Sequence, residues 1–481
     1  MFSIPRSSGI LLHPTSLPGR FGIGEIGPEA HHWLEALERM GQRLWQVLPL
    51  GPAGYADSPF QSTSSHAGNP LLISFDALRN DGVLTPQDLA MVPAFPSDRV
   101  DFAAAGEVRM AFLKLAARRF IAQCDASPPL RRAFEVFCNR EAGWLDDHSL
   151  FTALKQDNEG RAWTEWPRDL ALRKPAAMAG SMARLDTEIE EVKAQQFFFF
   201  RQWRKLRARA QELGVRIIGE MPFLTAHDSA EVWARPELYD LDERGHPLTV
   251  AGAPPDGFSA TGQRWGSPLY QWGAHQAEGF AWWQARLRKT LELVDIVRIG
   301  HFRGMAACWA IPAAEMDGLK GLWVETPGDA LLEALHAVTD GSLPVIAEDI
   351  GVTAPEVAAL RQRHGIPGMK VIQGSLSECP PKESVAYTGT HDHDTVQGRH
   401  SRTHHTPADG GGLNWDCIRA VWASRSNLAL TPMQDLLGLG SEARMNIPGQ
   451  TSGCWDWRFT WEQLTPEMEA RMHQITADSA R

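Results

Sequence analysis

Carboxylate and imidazole side chains follow several short apolar runs, where the chain would leave a buried strand. They are Asp57, Glu220, His301, the pair Glu348-Asp349 and the segment His391-Asp392-His393-Asp394. Paired carboxylates can act as nucleophile and as general acid or base, and an imidazole can donate or accept a proton. A ring of carboxylates around one opening is costly because the charges repel, and it persists mainly where a substrate or a cation uses it. The set therefore predicts an active site, although each residue alone is more typical of a helix cap or an ion pair.

Two further motifs indicate other chemistry. The segment Thr390–Thr395 has two histidines two positions apart, as metal-dependent hydrolases use, but the other strand ends offer carboxylates and few histidines as further ligands. The segment Gly22–Gly27 matches G-x-G-x-x-G and precedes a helix. It does not follow the first strand immediately, and no acid ends the second strand where a ribose would need one. The sequence thus favours a loop over a dinucleotide site, and it predicts neither a metal nor a cofactor.

A parallel sheet would gather these strand ends at one edge, and eight apolar runs predict such a sheet. Their apolarity is continuous rather than alternating, as strands covered on both faces require. The predicted strands are Gly9–His13, Leu44–Leu50, Val215–Met221, Val294–Ile299, Leu343–Glu348, Met369–Ile372, Ser384–Tyr387 and Met433–Leu439. Helical stretches separate most of them, namely Pro28–Gly41, Gln195–Gly214, Gln276–Leu291, Pro327–Thr339, Pro355–His364 and Leu413–Ser426. The alternation predicts an α/β fold, a (β/α)₈ TIM barrel, with its active site at the C-terminal ends of the strands.

The domain organisation follows from the gap between the second and third predicted strands. Residues 76–193 are rich in Ala, Leu, Arg and Trp, and they predict a helical insertion subdomain. Residues 223–275, after the third strand, predict a smaller loop insertion that covers the active site. We expect one catalytic barrel domain over residues 1–481, and burial of the four aromatic residues Phe197–Phe200 within a helix.

Composition limits the partners and the compartment. The chain has 481 residues, 43% of them hydrophobic, and a formal net charge of −11. Nucleic acid is not an expected partner because a phosphate backbone attracts positive charge, and the basic run Arg201–Arg209 is typical of a solvated helix face. Six cysteines without a CxxC pair indicate reduced thiols, and no signal peptide or membrane span is apparent. We therefore expect a cytoplasmic protein.

Many longer motifs resemble one known family, the amylomaltases, which are the bacterial 4-α-glucanotransferases (disproportionating enzymes) of the α-amylase clan. The resemblance covers nearly the whole chain, and only the helical insertion matches loosely. The matching stretches are RSSGILLHPTSLPG (6–19), GQRLWQVLPLGPAGYADSPFQS (41–62), AGNPLLIS (67–74), HDSAEVW (227–233), PPDGFSATGQRWGSPLY (254–270), HFRG (301–304), IAEDIG (346–351), GIPGMKV (365–371), YTGTHDHDT (387–395) and EARMNIPGQ (442–450). This resemblance implies a barrel with inserted subdomains and without the C-terminal β-domain of true amylases.

The resemblance also implies an activity and its site. Such enzymes pass α-1,4-glucan segments between malto-oligosaccharides derived from starch or glycogen, with retention of configuration and without a cofactor. Glu348 matches the family's acid/base, and Asp392 matches its third carboxylate. The resemblance places substrate-binding residues at Tyr55, Asp57, Ser58, Glu220, Phe258, Trp265, Arg298, His301 and His391. We expect a monomer or a weak homodimer.

One catalytic position departs from the family pattern. Where the family has R-I-D-H-F-R-G, this chain has Gly300, so the carboxylate nucleophile is missing. Asp295 cannot replace it, since it lies five residues earlier, roughly 16 Å along a strand, and points to the opposite face. A second departure is Glu220, which is one methylene longer than the aspartate of the usual G-D-x-P motif.

Three explanations of Gly300 are open. The first is an introduced substitution that removes the nucleophile. The second is a natural α-glucan-binding protein without turnover, and the third is a site that uses another nucleophile. We expect a low-activity or knock-out form of the transferase. The alternatives are a non-catalytic glucan-binding protein of the same fold and, more distantly, a metal-dependent hydrolase.

Overall fold

The computed structural model describes residues 5–255, 259–339, 341–350, 354–372, 380–404 and 412–481. The strands found there are β1 (Ser7–Leu11), β2 (Leu44–Gln46), β3 (Arg216–Pro222), β4 (Thr249–Ala253), β5 (Gln263–Pro268), β6 (Ile296–Gly300), β7 (Ala307–Pro312), β8 (Leu322–Glu325), β9 (Val345–Ala347), β10 (Gly368–Val371), β11 (Ser384–Tyr387) and β12 (Leu428–Pro432). They form two sheets, one of eight strands and one of four.

The α-helices lie between and beside these strands. They are α1 (Pro28–Arg39), α2 (Phe75–Asn80), α3 (Pro86–Ala90), α4 (Phe102–Ala126), α5 (Pro128–Asp157), α6 (Arg168–Ala171), α7 (Pro175–Arg184), α8 (Asp186–Glu212), α9 (Ala230–Ala234), α10 (Trp272–Ala277), α11 (Ala281–Leu293), α12 (Gly328–His336), α13 (Pro355–Arg363), α14 (Val396–His404), α15 (Leu413–Ala423), α16 (Met433–Leu436) and α17 (Pro466–Asp478). Among the described residues, no helix combines the length and the apolarity needed to cross a membrane.

The eight-stranded sheet is a (β/α)₈ barrel, as the sequence predicted. All its ladders are parallel, in the order β10-β11-β12-β1-β2-β3-β6-β9. Between the two end strands β9 and β10, the Ala347 amide donates to the Pro367 carbonyl at 2.9 Å. Buried apolar side chains fill the interior, among them Ile218, Ile296 and Ile346. The carboxyl ends of the strands therefore meet at one mouth.

The position predicted for the eighth strand is wrong. The strand is β12, whereas the predicted Met433–Leu439 begins as helix α16 and continues as a turn and a loop. Both segments are apolar and buried, and periodicity alone does not separate a short buried strand from a buried helical turn. Pro432 lies at the boundary, as the last residue of β12 and the N-cap of α16.

Helices α2 to α8 occupy the chain between β2 and β3. The predicted limit of the insertion at residue 193 falls inside α8, which runs on to the start of β3. Phe197–Phe200 are buried in that helix, and they contact the rings of Phe120, Phe137 and Trp203.

The four-stranded antiparallel sheet has the order β5-β4-β7-β8. Two of its strands come from the segment after β3, and the other two follow β6. Because β3 and β6 are neighbours in the barrel, this sheet extends from the loops at the mouth. It brings Trp265 of β5 against His301, with ring centroids 4.8 Å apart.

Candidate active site

The ends of β3, β6 and β9 carry two carboxylates around one guanidinium. Arg298, which is 1% exposed, forms an ion pair with Glu220 and a second with Glu348, where Nη2 lies 3.3 Å from Oε1. The register of β3 and β6 places Glu220 opposite Arg298, so the parallel ladder itself creates the first pair. A buried charge needs such partners, because desolvation without them costs several kcal/mol.

Gly300 ends β6 directly above this cluster. A Cβ atom added at Gly300 would lie 3.3 Å from Glu220 Oε1 and 3.6 Å from Glu348 Oε2. The backbone of Gly300 is outside the left-handed region, so an L-residue could adopt it. A side chain at position 300 would therefore enter the space between the two carboxylates with small adjustments.

His301 turns the chain sharply after β6. Its φ of 52° is left-handed, which is uncommon for a residue other than glycine and is typical of strained functional positions. The turn lets the His301 amide donate to Glu348 Oε2 at 2.7 Å. Burial lowers the pKa of the His301 imidazole to about 4, against a raising effect of Glu348. At neutral pH the ring is therefore uncharged.

A second cluster follows β11. Asn446 Nδ2 donates to Asp392 Oδ1 at 2.6 Å, and His391 Nε2 lies 3.4 Å from Asp392 Oδ2. Burial raises the pKa of Asp392, but the charge and hydrogen bond of His391 outweigh it, together with Asn446 and Arg298, and the pKa lies well below its usual range. Asp392 is therefore a carboxylate that stays ionised and can stabilise positive charge.

The loop after β2 holds three of the predicted substrate-binding residues. Tyr55 is 74% exposed, Asp57 has a left-handed φ of 57°, and Ser58 accepts a hydrogen bond from the Phe60 amide. The ring of Phe60 stacks on His391 with centroids 4.9 Å apart, which joins this loop to the Asp392 cluster. Phe258 lies outside the described residues.

Other acidic groups from the sequence analysis have structural partners instead. Asp349 accepts from the Met369 amide at 2.7 Å, and Asp394 pairs with Arg402 at 2.7 Å. Asp295 accepts from the Ile217 amide at 2.8 Å, at the start of the barrel strands. That position agrees with the expectation that Asp295 cannot act at the mouth.

The histidine segment Thr390–Thr395 and the glycine segment Gly22–Gly27, considered above as metal and dinucleotide sites, also make local contacts. His393 Nδ1 lies 2.8 Å from Thr390 Oγ1. In the glycine segment, a Cβ atom at Gly24 would lie 1.9 Å from the Pro14 carbonyl, so glycine is needed there for close packing of the chain. Among the described residues, no group of three or more His, Cys, Asp or Glu side chains is placed to hold a metal ion.

Asn446 and Phe60 are contacts that sequence reasoning did not assign to the site. Both lie in stretches that match the family, EARMNIPGQ and GQRLWQVLPLGPAGYADSPFQS. The matches identify the two segments as part of the family pattern. They do not identify Asn446 and Phe60 within them, because neither side chain titrates and so neither indicates catalysis by its type. The structure adds them because they contact Asp392 and His391.

Comparisons with known proteins show the family of the chain. The family described as 4-alpha-glucanotransferase matches residues 12–465. The 4-alpha-glucanotransferase of Thermus thermophilus is 45% identical over 99% of both chains, and that of Synechocystis sp. is 40% identical over 98% of this chain and 97% of its own. The amylomaltase from Streptococcus agalactiae, solved in complex with acarbose, superposes with a TM-score of 0.93 at 33% identity over 99% of both chains. The chain belongs to the 4-alpha-glucanotransferase family.

Proposed function

We propose that this chain binds malto-oligosaccharides at the barrel mouth and transfers α-1,4-glucan segments between them slowly, because residue 300 is glycine. The observation that carries the proposal is the place of residue 300 beside Glu348. A Cβ atom there would lie 3.6 Å from Glu348 Oε2. A carboxylate on that atom could meet the separation of about 5–5.5 Å between the two carboxyl groups of retaining glycosidases. The site thus has the geometry of double displacement without its nucleophile.

Glu348 is the proposed general acid and base. The His301 amide and Arg298 contact its two oxygens and fix the orientation of the carboxyl group beside residue 300, as a general acid and base requires. Asp392 is the proposed stabiliser of the oxocarbenium-like sugar, because its low pKa keeps it negatively charged. His301 and Arg298 are the other polar residues that we propose to contact the substrate beside Glu348.

The remaining substrate contacts are proposed from the resemblance to the family. Trp265 offers a ring for sugar stacking beside His301, and Tyr55, Asp57, Ser58, Phe258 and His391 provide the surrounding contacts. The donors and acceptors are malto-oligosaccharides or glucans derived from starch or glycogen. The amylomaltase from Streptococcus agalactiae, whose structure holds acarbose, supports an oligosaccharide ligand. We further propose a cytoplasmic monomer or weak homodimer that works without a cofactor.

Maltotriose disproportionation by this chain and by Gly300→Asp tests the proposal. Loss of a covalent nucleophile costs about 10⁴–10⁶ in rate, so we expect the aspartate variant to form the product ladder faster by a factor of that order. The readout is the ladder together with free glucose. Gly180→Asp is a matched control, since a side chain there meets open space on α7. Rapid disproportionation by the unmodified chain would contradict the proposal.

A second candidate is a glucan-binding protein without turnover, and Gly300 is the observation that favours it. It shares the binding residues of the transferase. If Gly300→Asp also forms no ladder while maltotriose still binds, this second function replaces the first. Calorimetric titration with maltotriose, followed for both variants, separates the two outcomes.

A further inference from the structure

Glu220 is a buried carboxylate with one oxygen unused. Its side chain is 0% exposed, and Arg298 contacts Oε1. Among the described residues, its Oε2 has no hydrogen-bond partner. A buried charged oxygen without a partner is costly, and such atoms are uncommon in folded proteins unless they have a function.

The space beside this carboxylate is the space that Gly300 leaves. A Cβ atom at residue 300 would lie 3.3 Å from Glu220 Oε1, closer than to any other group. With glycine at that position, the carboxylate borders the space that the side chain would fill. A sugar atom in this space would lie between Glu220 Oε1 and Glu348 Oε2.

The distance between Glu220 and Glu348 also fits a pair that acts as nucleophile and acid/base. Both carboxylates pair with the one guanidinium of Arg298. Since Glu220 Oε1 and Glu348 Oε2 lie 3.3 and 3.6 Å from one point, they are at most about 7 Å apart, a range that includes the separation of about 5–5.5 Å found in retaining glycosidases. Asp392 is the third carboxylate near this guanidinium, and its negative charge interacts with that of Arg298.

We propose that Glu220 replaces the missing residue-300 carboxylate as the nucleophile, so that the slow transfer passes through a glycosyl ester on Glu220. The inference rests on the proposed function and names the group that performs its first step. The extra methylene of glutamate, compared with aspartate, extends the carboxylate toward the Gly300 space.

The step is a double displacement. A Glu220 oxygen forms a bond to the anomeric carbon while the glycosidic C–O bond breaks, and the leaving oxygen takes the proton of Glu348. In the second half, Glu348 removes the proton of the acceptor's 4-hydroxyl, which attacks the same carbon. Glu220 then leaves with the electron pair of the ester bond, and configuration is retained.

The test uses α-maltosyl fluoride, because fluoride leaves without strong acid catalysis and the attack itself is then measured. We expect fluoride release together with an ester on the peptide that contains Glu220, located by acid quench, digestion and mass spectrometry. Glu220→Gln keeps the shape but not the nucleophile, so fluoride release should fall at least 100-fold. Glu212→Gln, at the exposed end of α8, is the matched control.

Other results would overturn the inference. It fails if the ester maps to another residue, if no ester forms, or if Glu220→Gln releases fluoride at the unmodified rate. Because the ester is mapped on the unmodified chain, a variant that does not fold leaves the test intact. The proposed function is judged separately, by whether Gly300→Asp forms the maltotriose ladder.

Discussion

The charge state of the site is set by contacts between single residues. Asp392 stays ionised because His391, Asn446 and Arg298 oppose the effect of its burial. Arg298 is charged and His391 can be charged, but Asn446 is neutral and acts only through its 2.6 Å hydrogen bond. Hydrogen bonds to charged groups contribute about 1.5–3 kcal/mol, more than bonds between neutral groups. Asn446 is therefore a positioning residue for the carboxylate.

We predict that Asn446→Ala, made together with Gly300→Asp, lowers kcat/KM for maltotriose by about 30-fold, which corresponds to about 2 kcal/mol. The pKa of Asp392 should also rise, so the acid limb of the pH–rate profile moves to higher pH. Asn80→Ala, on the exposed end of α2, is the control. An unchanged pH profile and rate would show that Asn446 does not hold Asp392.

How much of this site the sequence predicts depends on residue chemistry. Titrating residues at strand ends, such as Glu348 and Asp392, are visible because their type and position both indicate catalysis. Asn446 is not, since its contact with Asp392 spans 54 positions and depends on how two loops fold together. The ion pair of Glu220 with Arg298 likewise follows from the register of two strands 78 positions apart.

At the scale of elements, helix α8 fixes the loop that follows β2. Gln196 accepts from the Gly68 amide at 2.8 Å and donates to the Gly68 carbonyl at 2.9 Å. Gln202 forms the same two contacts with Ser74, at 2.7 and 3.3 Å. Two side chains of one helix thus satisfy the backbone at both ends of a buried segment. This segment continues the loop of Tyr55 and Asp57.

We predict that Gly68→Ala destabilises the protein by about 3 kcal/mol, because the added Cβ would lie 2.0 Å from the Phe199 ring in a close-packed core. Urea-induced unfolding measures the change. Gly143→Ala is the matched control, since its Cβ meets open space inside α5 and alanine favours a helix by roughly 0.5–1 kcal/mol. Equal stability of the two variants would contradict the packing argument.

Elements with long apolar or amphipathic patterns are predictable, and short ones are not. Six predicted helices overlap observed ones, for example α1 and α15, since their faces follow the helical period. The strands of the antiparallel sheet were not predicted, because β4 and β8 have only five and four residues, too few for their periodicity to indicate a strand. The predicted eighth barrel strand begins five residues too late along the chain. The reason is that the buried strand β12 and the buried helical turn α16 form one continuous apolar run.

At the scale of the whole molecule, folding buries several neutral imidazoles. Burial lowers the pKa of His13 to about 3, and that of His148, His275 and His301 to about 4. His13 and His301 lie at the barrel mouth, His148 lies in α5, and His275 lies in α10. Each ring has an ordinary pKa near 6.5 in the unfolded chain. Acid should therefore unfold the molecule through all of these positions together.

We predict that the free energy of unfolding falls steeply as the pH drops from 6.5 to 4, because the unfolded chain then binds protons that the folded chain does not. Asp435 opposes this, since burial raises its pKa to about 6. From these four imidazoles and Asp435 the excess near pH 5.5 is about three protons, which contributes about 4 kcal/mol per pH unit to the slope. Urea unfolding at several pH values measures it, and His148→Gln should reduce the slope by about 1.2 kcal/mol per pH unit. A flat or inverted dependence would mean that these imidazoles are not buried as neutral groups.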